Sequence, residues 1–151
     1  HLSPGGSDAE VMREFSLQSL SFVGQGAFEL PEAKLEADWV DADHLLVATD
    51  FGPGTRTASG YARQLRYWTR GQPLGTAQLV YEGQESDIEV SGDHEDTPGY
   101  ARDFVYRSVT FFTNEVYERS AGGLQRVEKP DLQVQFIVFQ SIFQLNQLLF
   151  R

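Results

Sequence analysis

Arg66-Tyr67-Trp68-Thr69-Arg70-Gly71, followed by Leu74, is a strand with aromatics near its end, a tight polar turn and a leucine that opens the next segment. The unit recurs on both sides. Arg13-Glu14-Phe15-Ser16-Leu17 leads to Leu20, and Val116-Tyr117-Glu118-Arg119 leads to Leu124. The spacing is roughly fifty residues, within the range where repeats build solenoids or propellers. Around each copy the periodicity is two, in short runs rich in Val, Tyr, Phe, Trp and Thr, separated by Gly, Pro, Asp and Ser. Strands are predicted at 11–17, 20–23, 35–40, 45–50, 63–69, 77–82, 87–91, 104–112, 115–119 and 124–127.

Four strands per repeat is the pattern of a propeller blade, with one inner, two middle and one outer strand. The predicted fold class is therefore all-β: antiparallel four-stranded propeller blades in an incomplete ring, about two full blades plus part of another. Blade starts fall near residues 35 and 87, and the first copy lacks its inner strand. An unclosed set of blades exposes flat faces that normally pack on neighbours, so the pattern predicts a stretch of a larger ring. His1 as first residue, with Met12 as the single methionine, adds to that expectation.

The connections fit hairpins. In Asp41-Ala42-Asp43 an aspartate can accept a backbone N–H two residues on, and Arg70-Gly71-Gln72-Pro73 and Ser120-Ala121-Gly122-Gly123 turn in the same way. Longer loops are predicted at 24–34, 51–62 and 92–102. Residues 1–130 read as a partial propeller domain, and 131–151 as a tail with no charge between Asp131 and Arg151. Within the tail, 132–138 could pair as a strand, while Ile142, Leu145 and Leu149 allow a short helix. Its Gln and Phe content makes 133–140 an aggregation segment. The many amides argue against a membrane span.

Composition removes several classes of function. The chain has 151 residues, 12 Lys and Arg against 22 Asp and Glu, a net charge of −10, and no cysteine. Thiolate metal sites, disulfides and a cysteine nucleophile are excluded. So acidic a chain is not expected to bind nucleic acid, whose phosphates need clustered Lys and Arg. Three histidines, His1, His44 and His94, leave little for metal or general-base chemistry, and no cofactor is expected. No basic region followed by an apolar one marks a signal peptide in the first thirty residues, which leaves a cytoplasmic or a periplasmic location open.

Candidate chemistry is sparse. Gly5-Gly6-Ser7-Asp8-Ala9 falls one residue short of a nucleophile elbow, and the alternating run after it reads as a strand where the elbow needs a helix. Gly24-Gln25-Gly26 lacks the third glycine of a dinucleotide fingerprint. The acidic run Glu82, Glu85, Asp87, Glu89, Asp93, Glu95 and Asp96 lacks the spacing of a calcium loop and reads as a solvated strand edge. The aromatics Trp39, Tyr67, Trp68, Phe104, Tyr106, Phe111 and Phe112 read as packing between sheets, and the scattered arginines as partners for the excess acids.

Longer stretches carry a resemblance. Leu2-Ser3-Pro4-Gly5-Gly6-Ser7-Asp8-Ala9 with Arg13-Glu14-Phe15, then Leu30-Pro31-Glu32-Ala33-Lys34, then Leu45-Leu46-Val47-Ala48-Thr49-Asp50-Phe51-Gly52-Pro53-Gly54, resemble the N-terminal propeller of bacterial prolyl oligopeptidases. So do Ser59-Gly60-Tyr61, Tyr67-Trp68-Thr69-Arg70-Gly71 and the run from Arg102 through Phe112. The resemblance implies part of a serine endopeptidase that cleaves short peptides after proline. In that family a seven-bladed propeller covers an α/β-hydrolase domain and admits only small peptides. The Ser, Asp and His of the triad lie in the hydrolase domain, and no position here matches them, so this stretch is expected to be non-catalytic. The implied partners are that hydrolase domain in the same parent chain and short proline-containing peptides. Inner strands border the central tunnel in this family, which makes Asp87 and Glu89 candidates to face it. After Pro130 the sequence departs from the family pattern. A stand-alone β-rich binding module derived from propeller blades is the alternative reading.

Overall fold

The computed structural model of the protein describes residues 8–128, which form twelve strands and one short 3-10 turn at Leu74–Thr76. In chain order the strands are β1 Glu10–Arg13, β2 Phe15–Ser16, β3 Ser21–Phe22, β4 Glu29–Ala33, β5 Glu36–Asp41, β6 His44–Ala48, β7 Gln64–Thr69, β8 Gln78–Glu82, β9 Glu89–Glu95, β10 Arg102–Thr110, β11 Thr113–Ser120 and β12 Gly123–Arg126. Two four-stranded antiparallel sheets have the sequential orders β5-β6-β7-β8 and β9-β10-β11-β12. Ahead of them, β1 pairs with β4 and β2 with β3, which makes one long irregular hairpin. These are two complete blades preceded by the outer half of a third. The three copies of the repeated unit occupy equivalent places, at the last hairpin of each sheet.

Why the blades stack is visible in β6. Leu45, Leu46, Val47 and Ala48 are all buried, although alternate residues of a strand point to opposite faces. Leu45 and Val47 join Met12, Phe28, Leu30, Leu35 and Trp68 in a core shared with the half blade. Leu46 and Ala48 join Ala62, Leu65, Val90 and Val105 in a core shared with the last blade. A strand covered on both sides needs a continuous apolar run in place of alternation, and Leu45-Leu46-Val47-Ala48 is one. Each fully buried Leu or Val contributes about 1.5–3 kcal/mol.

Polar clasps fix the stacking. Arg70 donates from Nη1 and Nη2 to the two Glu14 carboxylate oxygens at 2.8 and 3.0 Å, and from Nη2 to the Ala42 carbonyl at 2.7 Å. Its guanidinium also lies 4.5 Å above the Phe28 ring. The Arg70 hydrogen bonds hold the Glu14 carboxyl below its ordinary range; burial opposes them, and the Phe28 N–H assists. Between the middle and last blades, Arg119 reaches Asp103 at 2.8 Å and lies over the Tyr67 ring, while Tyr81 packs on Tyr117. Gly92 permits a close approach: a Cβ there would collide with Leu65 Cδ2 and sit 2.7 Å from the Phe104 carbonyl oxygen.

The structure revises several element boundaries. The predicted loop 24–34 contains β4, which tolerates Pro31 because it pairs only with β1 and is an edge strand. The predicted loop 92–102 is half strand, since β9 continues to Glu95; its polar residues lie on an inner edge, so they do not signal the end of a strand. The predicted strand 104–112 stops at Thr110, leaving Phe111 and Phe112 as a turn outside the sheet packing expected of them. The predicted strand 11–17 breaks at Glu14, whose side chain serves Arg70 and the Phe28 N–H. The readings at Ser7 and over 131–151 lie outside the described residues.

Candidate functional site

The first strands of the two complete blades, β5 and β9, are edge strands that lie beside one another, and the His94 N–H donates to Asp38 Oδ2 between them at 2.8 Å. With a period of two, Glu36 and Asp38 share one side of β5, and Glu89, Ser91, Asp93 and Glu95 share one side of β9. Sequence reasoning singled out the acids of the second strand and missed Glu36 and Asp38. Their signal was present in the alternation Glu36-Ala37-Asp38-Trp39, where acids recur at the strand period.

At the start of these strands a cleft of about 200 Å³ opens, lined among others by Asp8, Glu10, Glu36, Tyr61, Glu89 and Ser91. Lys34 stands at its rim with Nζ 3.9 Å above the Tyr61 ring and 3.5 Å from Asp8 Oδ2, which also accepts the Tyr61 hydroxyl at 3.2 Å. Desolvation raises the Glu36 carboxyl above its ordinary value; the Glu89, Asp93 and Glu10 charges add to the rise, and a hydrogen bond with Ser91 opposes it. Glu36 nevertheless keeps an exposed side, so water screens the repulsion. Asp93 is raised for the same first reason, burial, with Asp38 and Glu95 adding and Tyr106 opposing.

The two residues singled out from the sequence have different surroundings. Asp87 precedes β9 and is only 1% exposed. Its carboxylate accepts Arg107 Nε at 2.8 Å and Nη2 at 2.9 Å, and the Gln84 N–H at 2.6 Å. Burial would raise its pKa, yet the Arg107 and Gln84 hydrogen bonds outweigh it and hold the carboxyl below the ordinary range. Glu89 is half-buried in the cleft with Glu36.

Chemically, this edge offers carboxylates that attract cations and repel acids. His44 Nδ1 lies 2.8 Å from Asp41, and His94 Nδ1 lies 2.8 Å from Asp103. Among the described residues neither ring is bonded to a serine or threonine hydroxyl, and no three His, Asp or Glu side chains form a metal-binding group. The arginines are largely spent on acids or rings: Arg63 on Glu82, Arg102 on Glu118, Arg107 on Asp87 and Glu115, and Arg66 over Phe51.

Comparison with known proteins places this architecture. The chain is 40% identical over 117 residues to uncharacterized peptidase y4nA of Sinorhizobium fredii, a match that covers 76% of this chain and 16% of that protein. Its fold is similar to that of a post-proline cleaving enzyme from Rickettsia typhi, with a TM-score of 0.75 and 24% identity over 85% of this chain and 20% of the other. The chain thus spans about a sixth of its curated relative and a fifth of the solved structure. No family model matches it. The motifs along the sequence, the stacked four-stranded blades and these two likenesses agree: the chain is a run of β-propeller blades, similar in sequence to part of a peptidase and in fold to part of a post-proline cleaving enzyme.

Proposed function

We propose that these blades belong to the substrate-gating propeller of a prolyl-oligopeptidase-like serine endopeptidase that cleaves short peptides after proline. The observation that carries this reading is the pair of inner strands β5 and β9, which meet edge to edge with their carboxylates on one side. On this reading residues 1–130 form part of the propeller domain, with blades beginning near 35 and 87, and 131–151 stand apart from it. Glu89, with Glu36, borders the central tunnel. Asp87 anchors the chain as it enters the inner strand, through Arg107. The propeller covers an α/β-hydrolase domain of the same parent chain, where the nucleophile, base and oxyanion donors reside. The blades restrict access by size and contribute charge at the tunnel mouth, and cleavage itself belongs to the other domain.

The test compares two proteins. The full-length peptidase encoded around this sequence is expected to release a chromophore from a short post-proline substrate and to lose that activity with a serine-directed reagent. The 151-residue chain alone is expected to release none. Serine-reagent-sensitive cleavage by the purified short chain would overturn the reading, as would a full-length protein with no post-proline activity.

A further inference from the structure

Two tyrosines from different blades meet at the seam between the middle and last sheets. Tyr81 stands on β8 and Tyr117 on β11, with ring centroids 5.2 Å apart and planes inclined by 36°. Tyr81 is opposite Leu65 in its sheet and Tyr117 is opposite Val105 in its own, and directly opposed residues share a face. Leu65 and Val105 belong to the core that the two blades share, so both half-buried rings point into the seam and rest on that core. Among the described residues they are the one pair of tyrosine rings in contact. Tyr61 lies under Lys34, Tyr67 against His44 and Arg119, and Tyr106 beside Phe104, while Tyr100 is exposed.

The hydroxyls act in series. Tyr117 Oη donates to Glu115 Oε2 at 2.8 Å, which uses its one hydrogen, so the hydrogen bond between the two phenols runs from Tyr81 to Tyr117. Glu115 is also held by Arg107 at 3.1 Å and Arg126 at 3.2 Å. The Tyr117 hydrogen bond, with the two guanidinium charges behind it, keeps the Glu115 carboxyl below its ordinary range against the pull of burial, so it is an ionised acceptor at neutral pH. Burial first, then the bonds to Glu115 and Tyr81, push the Tyr117 phenol up. It therefore keeps its proton until an electron is withdrawn, and an acceptor already stands within the reach of a general base. Because the hydroxyls meet, the ring carbons beside them are neighbours as well.

We propose that Tyr81 and Tyr117 are an oxidative cross-linking site, which a one-electron oxidant converts into a dityrosine bond between the middle and last blades. Each phenol gives one electron to the oxidant and releases one proton, that of Tyr117 to Glu115 and that of Tyr81 along the same line of hydrogen bonds. The two phenoxyl radicals join through a carbon–carbon bond between ring positions beside the oxygens. The hydrogens on those two carbons then move to the oxygens and restore the phenols. Two tyrosines and two equivalents of oxidant thus give one dityrosine, two protons and two equivalents of reduced oxidant. The product is a covalent tie across a seam otherwise closed by packing and ion pairs, and it holds whatever reaction the parent chain performs.

The experiment exposes the full-length protein to a photochemically generated ruthenium(III) oxidant, with persulfate as the terminal electron acceptor. Products are read by dityrosine fluorescence, gel mobility and mass spectrometry of tryptic peptides. The expected product is a monomer on the gel in which residues 71–102 are joined to residues 108–119. Tyr100 shares the first of these peptides with Tyr81, so substitution assigns the partner. Tyr81→Phe and Tyr117→Phe, which keep the rings and remove only the hydroxyls, are each expected to abolish the joined peptide, and Tyr100→Phe to leave its yield unchanged. A joined peptide that survives Tyr81→Phe, or a folded protein that yields only intermolecular products or none, would overturn the proposal. A second measurement needs no variant: the parent protein oxidised in urea, where the seam is dispersed, is expected to lose the preference for this pair. An equal yield of the joined peptide in urea would show that the fold does not select it and would likewise overturn the proposal.

Discussion

Arg107 grips Asp87 through two parallel hydrogen bonds, Nε to Oδ2 at 2.8 Å and Nη2 to Oδ1 at 2.9 Å, with the carboxylate almost wholly buried. The same guanidinium reaches Glu115 Oε2 from Nη1 at 3.1 Å, so one side chain ties the start of β9 to β10 and β11. Removing one partner leaves an uncompensated charge inside the protein.

Asp87→Ala is therefore expected to cost about 3 kcal/mol at neutral pH, and Asp87→Ala with Arg107→Met together less than the sum of the single losses. Because the Asp87 carboxyl titrates below its ordinary 3.8 in the folded protein, this stabilisation is complete above that value and fades as pH falls through the lowered one. Urea denaturation at neutral and strongly acidic pH measures both statements. A loss as large in strong acid as at neutrality would show that the ion pair is not its origin.

Glu36 works in the opposite sense. Its pKa is raised in the fold, so the neutral form favours folding and the penalty grows as pH rises from the ordinary 4.5 toward the raised value. Glu36→Gln is expected to stabilise the protein by about 0.5 kcal/mol at neutral pH, the size of a screened surface repulsion. Below pH about 4 the gain should vanish. A variant with the same advantage in acid would owe it to something other than charge.

Gly92→Ala places a methyl group against Leu65 and the Phe104 carbonyl. Overpacking of this kind costs about 1–3 kcal/mol, and the backbone oxygen cannot yield as a side chain could. The denaturation midpoint should fall accordingly, and Leu65→Ala in the same chain should relieve only the side-chain part of the clash.

Arg70→Lys keeps the charge of the clasp and loses its geometry. An ammonium cannot hold both Glu14 oxygens and the Ala42 carbonyl in one plane, so a loss of about 1–2 kcal/mol is expected despite the conservative exchange. Stability equal to that of the parent chain would show that Arg70 acts only as a point charge.

The sequence revealed the blade order because its signals are local: a period of two, turn residues between runs, and the aromatic turn unit repeated three times. It hid β4, where Pro31 and two glutamates look like loop chemistry until the strand is seen to have a single neighbour. It also hid how Asp87 and Glu89 differ. Two acids two positions apart read alike in the chain, and only the position of Arg107, twenty residues after Asp87, buries one and leaves the other in the cleft. Phe111 and Phe112 misled for a related reason. Their β propensity extends the pattern of β10, while the hydrogen bonds of Thr110 end the strand ahead of them.

β6 belongs to two cores at once, alternate residues facing alternate neighbours. A blade of this kind is not a mechanical unit. Pulling one sheet away drags a wall out of the next, so force applied at one blade is passed along the stack. An enzyme that opened its ring to admit a substrate would therefore move such blades as a block and would need its hinge at a seam where no strand is shared in this way.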